Sequence, residues 1–301
     1  MSSQADSVKS IWYALIANFS IAIAKFCAAL YTGSTAMLAE AIHSTADCGN
    51  QGLLLYGLKV AKLPPSPDYP LGYGKAIYFW SFIVALILFS MGGLFSIYEG
   101  VHKISGQETL SSPWVAVAVL IFGIIAEAFS LYGCIREVNK VRNGRSLWKW
   151  FRESRQSELI VILGEDIAAL FGLVFALIAI LLTVATGNPI YDALGSIAIG
   201  VLLILVAVGV GIEVKDLLIG QSVEASEREL IRDFIAGHPE VSNVMSLITL
   251  QLGQGIMVAV KAEMHAPESK LMIEHINHIE KRMKERFPAI RWIFFEPDVS
   301  D

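Results

Sequence analysis

Residues 158–186 read ELIVILGEDIAALFGLVFALIAILLTVAT, a run whose only charges are Glu158, Glu165 and Asp166. A bilayer core of ~30 Å needs ~20 apolar residues as a helix, and this run exceeds that length. Five more stretches of similar character, residues 10–31, 35–61, 77–100, 112–135 and 190–214, bring the expected spans to six. The composition agrees, with 54% hydrophobic and 17% charged residues among 301 and a mean hydropathy of +0.57, too apolar for an ordinary soluble domain. The expected fold is therefore an α-helical polytopic membrane protein.

The remaining features bound the function. The first span carries Asn18 and Lys25 and has no small-residue cleavage site after it, so it reads as a retained helix and not a removed signal peptide. Cys27, Cys48 and Cys134 are isolated in apolar segments, which argues against redox chemistry. A net charge of −5 argues against nucleic acid as a partner. Between spans four and five the chain carries Arg136, Lys140, Arg142, Arg145, Lys149, Arg152 and Arg155, while the connections after spans one and five have no Lys or Arg. The positive-inside rule places residues 136–157, and with six spans both termini, in the cytoplasm. Trp148, Trp150 and Phe151 interleave with those bases, a pattern that fits either an interfacial segment at the inner headgroups or a solvated basic linker.

Past residue 219 the pattern changes. Residues 226–236 read as a short helix, VMSLITLQLGQGIMVAVKAEM (244–264) as two strands around a Gly253–Gly255 turn, 268–286 as a helix and IRWIFFEPD (290–298) as a third strand. This α-β-β-α-β order predicts a small open sheet with its helices on one face. The expected organisation is a six-helix membrane domain over 1–219 and a cytoplasmic α+β domain over 220–301.

Two places in the spans break the apolar pattern. In AEAIHSTADCGN (39–50), His43 and Asp47 are four apart and share a helix face, which Asn50 continues. In the fifth span, Glu165 and Asp166 interrupt the run quoted above, and each acid at a helix centre costs at least ~2.5 kcal/mol on insertion scales. If these helices are neighbours, three or four nitrogen and oxygen donors meet on a site suited to a divalent transition metal; zinc fits best, with iron(II), cobalt, nickel and manganese compatible. A polar contact between packed helices would account for any one of these residues alone, but less well for all of them. Glu40, near the outer end of its span, fits a water-filled entrance or a pair with Lys25, while Cys48 is turned about 100° from Asp47 and reads as packing. Glu99 and Glu127 read as helix-end or interhelical contacts. No HExxH or nucleophile motif is present, so an enzyme is not expected. A tight His/carboxylate site also suits binding and release better than channel conduction.

The ordered set of motifs resembles the cation diffusion facilitator family of metal/proton antiporters over nearly the whole chain. GSTAMLAEAIHSTAD (33–47) is similar to the family's second-span signature, SPDYPLGYGKAIYFW (66–80) to its cytoplasmic turn before span three, and YDALGSIAIGVLLI (191–204) to the opening of span six. The resemblance implies a homodimer that rocks between inward- and outward-facing states and exchanges a divalent cation, zinc first, for protons. Carried over by position, it implies that His43, Asp47 and Asp166 are metal ligands. Many members have a His where this chain has Ile162; Glu165 is the candidate replacement, and the Glu-Asp pair resembles the subgroup of mitochondrial-type zinc transporters. Tyr69 and Tyr73 stand where metal-binding members carry His, leaving Asp68 alone. Met245, Lys261, Phe294 and Glu296 replace metal positions of the C-terminal domain, and His275 and His278 read as solvated, so a dimerising domain that need not sense metal is expected. A bacterial inner membrane is the expected location, from the compact length and the lack of a transit segment. A non-transporting dimeric scaffold is the alternative that the missing His motivates.

Overall fold

Apolar runs without water to satisfy their amides must close their own hydrogen bonds, and they do so as helices. In the computed structural model, which describes residues 7–32, 35–105, 113–265 and 268–299, α1 is Ser7–Thr32 and α2 is Thr35–Ala61. Then follow α3 (Ala76–Ile87), a π-helical segment (Leu88–Leu94) and α4 (Phe95–Ser105), which form one continuous helical rod. After them come α5 (Pro113–Val141), the short α6 (Leu147–Glu153), α7 (Ser157–Thr186) and α8 (Ile190–Ile219). Local signals set the ends. Pro113 opens α5, where its missing N–H costs nothing. Gly187, at φ 68°, closes α7 in the left-handed conformation and donates its N–H to Thr183 O. The Asn188 side chain accepts from the Ile190 N–H at 3.0 Å and starts α8.

Among the described residues five of these stretches are long and apolar enough to cross a membrane: α1, the α3–α4 rod, α5, α7 and α8. α2 has the length, but Glu40, His43, Asp47, Asn50 and Gln51 lower its apolarity. The helices run further than the apolar runs suggested: α5 continues to Val141 through Arg136 and Lys140, and α8 to Ile219. Hydropathy marks only the length facing lipid, whereas a helix extends into water wherever charged residues favour it.

The chain divides into two compact units, the first comprising Met1–Leu58, Phe79–Arg152 and Gln156–Val214. Within it, α1, α5 and α7 pack on one another. The rod meets α8 along a seam of small residues. A Cβ on Gly200 would lie 2.7 Å from Gly93 O, and one on Gly100 would lie 2.8 Å from Ala193 O, so the two backbones run almost in contact. Gly93 belongs to the π segment, where the Phe95 N–H reaches back to Ser90 O instead of stopping at the usual fourth residue. Leu88, Ala168, Leu203 and Ala207 close a small core beside it. Large apolar side chains such as Trp114, Ile125, Phe129 and Phe171 point outward, a surface suited to lipid.

The second unit comprises Lys59–Tyr78, Glu153–Arg155 and Lys215–Asp301. Its elements α9 (Ala225–Ala236), β1 (Val241–Leu252), β2 (Gly255–Met264), α10 (Ser269–Arg286) and β3 (Ile290–Pro297) follow the expected order. β1 and β2 form an antiparallel hairpin and β3 adds parallel to β2. Ile231, Ile235, Val258, Val260, Ile279 and Met283 fill the core between sheet and helices. The loop ahead of α3 is built into this unit. Gly74 abuts the hairpin turn so closely that its Cβ would lie 2.2 Å from Leu252 O, and the Tyr78 hydroxyl accepts from the Gly253 N–H at 2.9 Å. Arg155 donates to Ser222 O at 2.7 Å, and the Gln251 N–H to Gln221 O at 3.1 Å.

One expectation needs correction. Trp150, for which the sequence offered either an interfacial segment or a solvated linker, is 1% exposed and packs inside the protein, while Trp148 is exposed and stacks on Phe151 at 6.0 Å. Bases interleaved with aromatics look alike in sequence whether a ring is exposed or covered by protein.

The seam gives a direct test. Gly200→Val should overpack the rod–α8 contact, cost about 1–3 kcal/mol and lower the thermal midpoint of the detergent-solubilised protein. Gly209→Ala, on the same helix with nothing within 4 Å of a Cβ there, should leave the midpoint no lower, since alanine is the better helix former.

Candidate metal centre

The first third of α7 is buried on every side: all residues from Ser157 to Asp166 are enclosed by protein. A helix apolar around its whole circumference belongs in such an interior, and that burial is why neither Glu165 nor Asp166 faces lipid. Adjacent residues point about 100° apart, so the two acids address different neighbours. Glu165 reaches α2, accepting at Oε1 from Asn50 Nδ2 at 3.1 Å and at Oε2 from Gln51 Nε2 at 3.0 Å. Asp166 turns toward α5, where Oδ2 accepts from Ser130 Oγ at 2.9 Å. α2 and α7 are therefore neighbours, as a shared site requires.

The polar chain continues beyond α2. Asn18 of α1 donates through Nδ2 to Gln51 Oε1 at 3.3 Å, and Lys25 of α1 donates to Ser44 Oγ at 2.8 Å. Of these eight side chains Asn18, Lys25, Ser44, Asn50 and Gln51 lie on α1 or α2, Ser130 on α5 and Glu165 and Asp166 on α7, and every one is buried. An ionised carboxylate in the centre of a spanning helix costs ~2.5–3.5 kcal/mol on insertion scales. Hydrogen bonds to a charged group contribute ~1.5–3 kcal/mol each, so the two amides on Glu165 offset that cost.

Asp47 is half-buried on α2, and its charge acts on both Glu165 and Glu127. Glu127 of α5 is itself buried, and the charge of Asp166 acts on it as well. Asp47, Glu127, Glu165 and Asp166 are thus linked through their charges, with the Lys25 charge acting on Glu127. Among the described residues no three His, Cys, Asp or Glu side chains converge closely enough to hold one ion. The side chains of His43 and Glu40 lie outside the described residues. Of the four expected site residues, the structure brings Glu165 and Asp166 into one buried polar region with Asp47 in electrostatic reach.

The other acids serve locally. Glu99 pairs with Lys103 at 3.2 Å, and Lys103 also reaches Asp192 at 3.1 Å. Ile162 is fully buried and apolar at the position where a His would otherwise stand. In the second unit, Lys261 pairs with Asp298 at 2.9 Å, His275 is half-buried and His278 exposed.

Sequence reasoning had no role for Gln51, Asn18 or Ser130. Gln51 carried a usable signal, as a second amide beside Asn50 in a span already rich in polar groups. Asn18 was visible as a polar residue in span one, but its partner lies on another helix. Ser130 carried none, because serines in spanning helices commonly bond their own backbone.

A family profile described as cation efflux transmembrane domain matches residues 11–219. The human protein named proton-coupled zinc antiporter SLC30A9, mitochondrial, is 34% identical over 257 residues, covering 85% of this chain and 45% of that protein. Metal tolerance protein C4 of Arabidopsis thaliana is 29% identical over 83% of this chain and 55% of its own length. Magnetosome protein MamB of Magnetospira sp. (strain QH-2) is 29% identical over 71% of this chain and 68% of its own. The chain thus spans about half the length of the human and plant relatives. With the profile covering α1 to α8 and the polar region inside it, the chain belongs to the cation efflux, or cation diffusion facilitator, family.

Proposed function

We propose that this protein is a divalent-cation efflux transporter that exchanges its cargo, zinc first, for protons. The observation that carries the reading is the buried contact of α2 with α7, in which Asn50 and Gln51 hold Glu165 beside Asp166. Its membership of a transporter family and its likeness to a protein named a zinc antiporter support the same reading and speak against an enzyme. In this reading α2 is the sixth membrane span and His43, Asp47, Glu165 and Asp166 supply the ligands. Each binds a cation only when deprotonated, so protons arriving from one side compete the ion off. Alternating access then needs α2 and α7 to present the same groups to each side in turn. The basic segment 136–157 supports cytoplasmic termini, in keeping with a bacterial inner membrane.

A homodimer joined through the C-terminal sheet is the assembly we propose. The face of the sheet turned away from α9 and α10 carries Ile248, Ala259 and Phe294 in one register row, with Ile248 60% and Phe294 56% exposed. Solvent-exposed apolar residues in a row on an open sheet fit a partner surface better than water.

Reconstituted in liposomes, the protein should move zinc against a proton gradient, and Asp166→Ala should reduce that flux to the level of empty vesicles. Zinc flux that is unchanged by Asp166→Ala, or that needs no gradient, would remove the site or the coupling respectively. Zinc binding to the purified protein should weaken steadily as pH falls from about 8 to about 5, since proton uptake by His and carboxylate ligands releases metal; a flat titration would exclude proton competition. Phe294→Glu should shift the protein from dimer to monomer in light scattering, and an unchanged mass would place the interface elsewhere.

A further inference from the structure

We infer that Asn50 is a specificity-determining ligand of the cation site and that Gln51 is the positioning residue that holds Glu165 beside it. The inference rests on the transport reading above and adds a donor to it. Asn50 lies three residues after Asp47, on the same face of α2. It is 2% exposed, and its Nδ2 is committed to Glu165 Oε1. Among the described residues its Oδ1 has no hydrogen-bond partner. A buried amide oxygen left in that condition costs ~1–3 kcal/mol and is uncommon in native proteins.

Turning the amide over does not relieve it. A flip would set Oδ1 against the Glu165 carboxylate, oxygen on oxygen, and lose the bond from Nδ2 to Glu165. Glu165 therefore fixes which end of the amide is left over. Gln51 differs, because both ends are used: Nε2 donates to Glu165 Oε2 and Oε1 accepts from Asn18. The polar chain runs Asn18, Gln51, Glu165, Asn50 and ends on an acceptor.

A cation is the group that completes such a chain, since it needs acceptors alone. The site then offers a neutral amide oxygen together with the carboxylates of Glu165 and Asp47, and Gln51 holds the Glu165 carboxylate by its outer hydrogen bond, as partners of ligating carboxylates do. An added neutral oxygen favours harder ions and higher coordination numbers, so Asn50 supports manganese more than zinc. The two residues then have separable effects: Gln51 sets affinity for every ion and Asn50 sets the preference among them.

The test is zinc and manganese binding to the full-length protein in detergent, by calorimetry, for wild type, Asn50→Leu, Gln51→Leu and Asp166→Ala. Asn50→Leu should weaken manganese at least ~10-fold more than zinc, whereas Gln51→Leu should weaken both by a common factor within the ~10–100-fold range of outer-shell changes. Asn50→Ala, which removes the oxygen without adding bulk, replaces Asn50→Leu if the latter is not monodisperse on size exclusion, and should shift the ratio in the same direction. An Asn50 variant with the wild-type ratio of affinities overturns the inference. If Asp166→Ala still abolishes binding in that case, the transport site stands without Asn50. A wild-type protein that binds neither ion removes the transport reading and this inference with it.

Discussion

An acid in the interior of an apolar helix has to find hydrogen-bond donors on another helix, and Glu165 is where that requirement organises this protein. Its carboxylate is enclosed by protein and receives one donor from each of two consecutive amides, Asn50 and Gln51. Consecutive residues on a helix point about 100° apart, so both can reach one carboxylate only if α2 passes close beside α7. Asn18 extends the constraint to α1 by donating to Gln51. Asp166, turned the other way, ties α5 to the same region through Ser130. Four helices are thus oriented by the needs of two adjacent acids.

Apolar packing alone would not select that arrangement, because lipid tails solvate leucine as well as a neighbouring helix does. Elsewhere in the membrane unit the helices use a different device. The rod of α3 and α4 meets α8 through Gly93, Gly100 and Gly200, where missing side chains let the backbones approach. Close backbone contact gains dispersion energy that larger residues would deny. A π-helical segment at this seam loosens the regular ladder beside a close contact. The polar half of the membrane unit is therefore specified by hydrogen bonds and the glycine half by shape.

The second unit is held together by similar means. Its sheet and helices form an ordinary apolar core, yet its boundary includes Lys59–Tyr78, the stretch that joins α2 to α3. Gly74 against the hairpin turn and the Tyr78 hydroxyl on Gly253 make that loop part of the domain. Arg155, from the segment before α7, joins through Ser222. In sequence this unit is three separate stretches.

Much of this was legible in the chain itself. Long uncharged runs must become helices in lipid, and strand alternation around Gly253 forces a hairpin; both are local consequences of chemistry, and they gave the spans and the α-β-β-α-β order. The acids at Glu165 and Asp166 stood out for the same reason, as local violations of an apolar pattern. The burial of Trp150 was not legible, because a residue's neighbours in sequence do not say which side of its helix is covered. Gln51 and Asn18 were not assigned, because their importance lies in a contact between residues 33 apart. The sequence by itself determined which segments are helices, strands and apolar spans, since those follow from periodicity and solvent. Only the tertiary structure decided that Glu165 turns to α2 while Asp166 turns to α5, because helix rotation is set by partners on other helices and by nothing within α7.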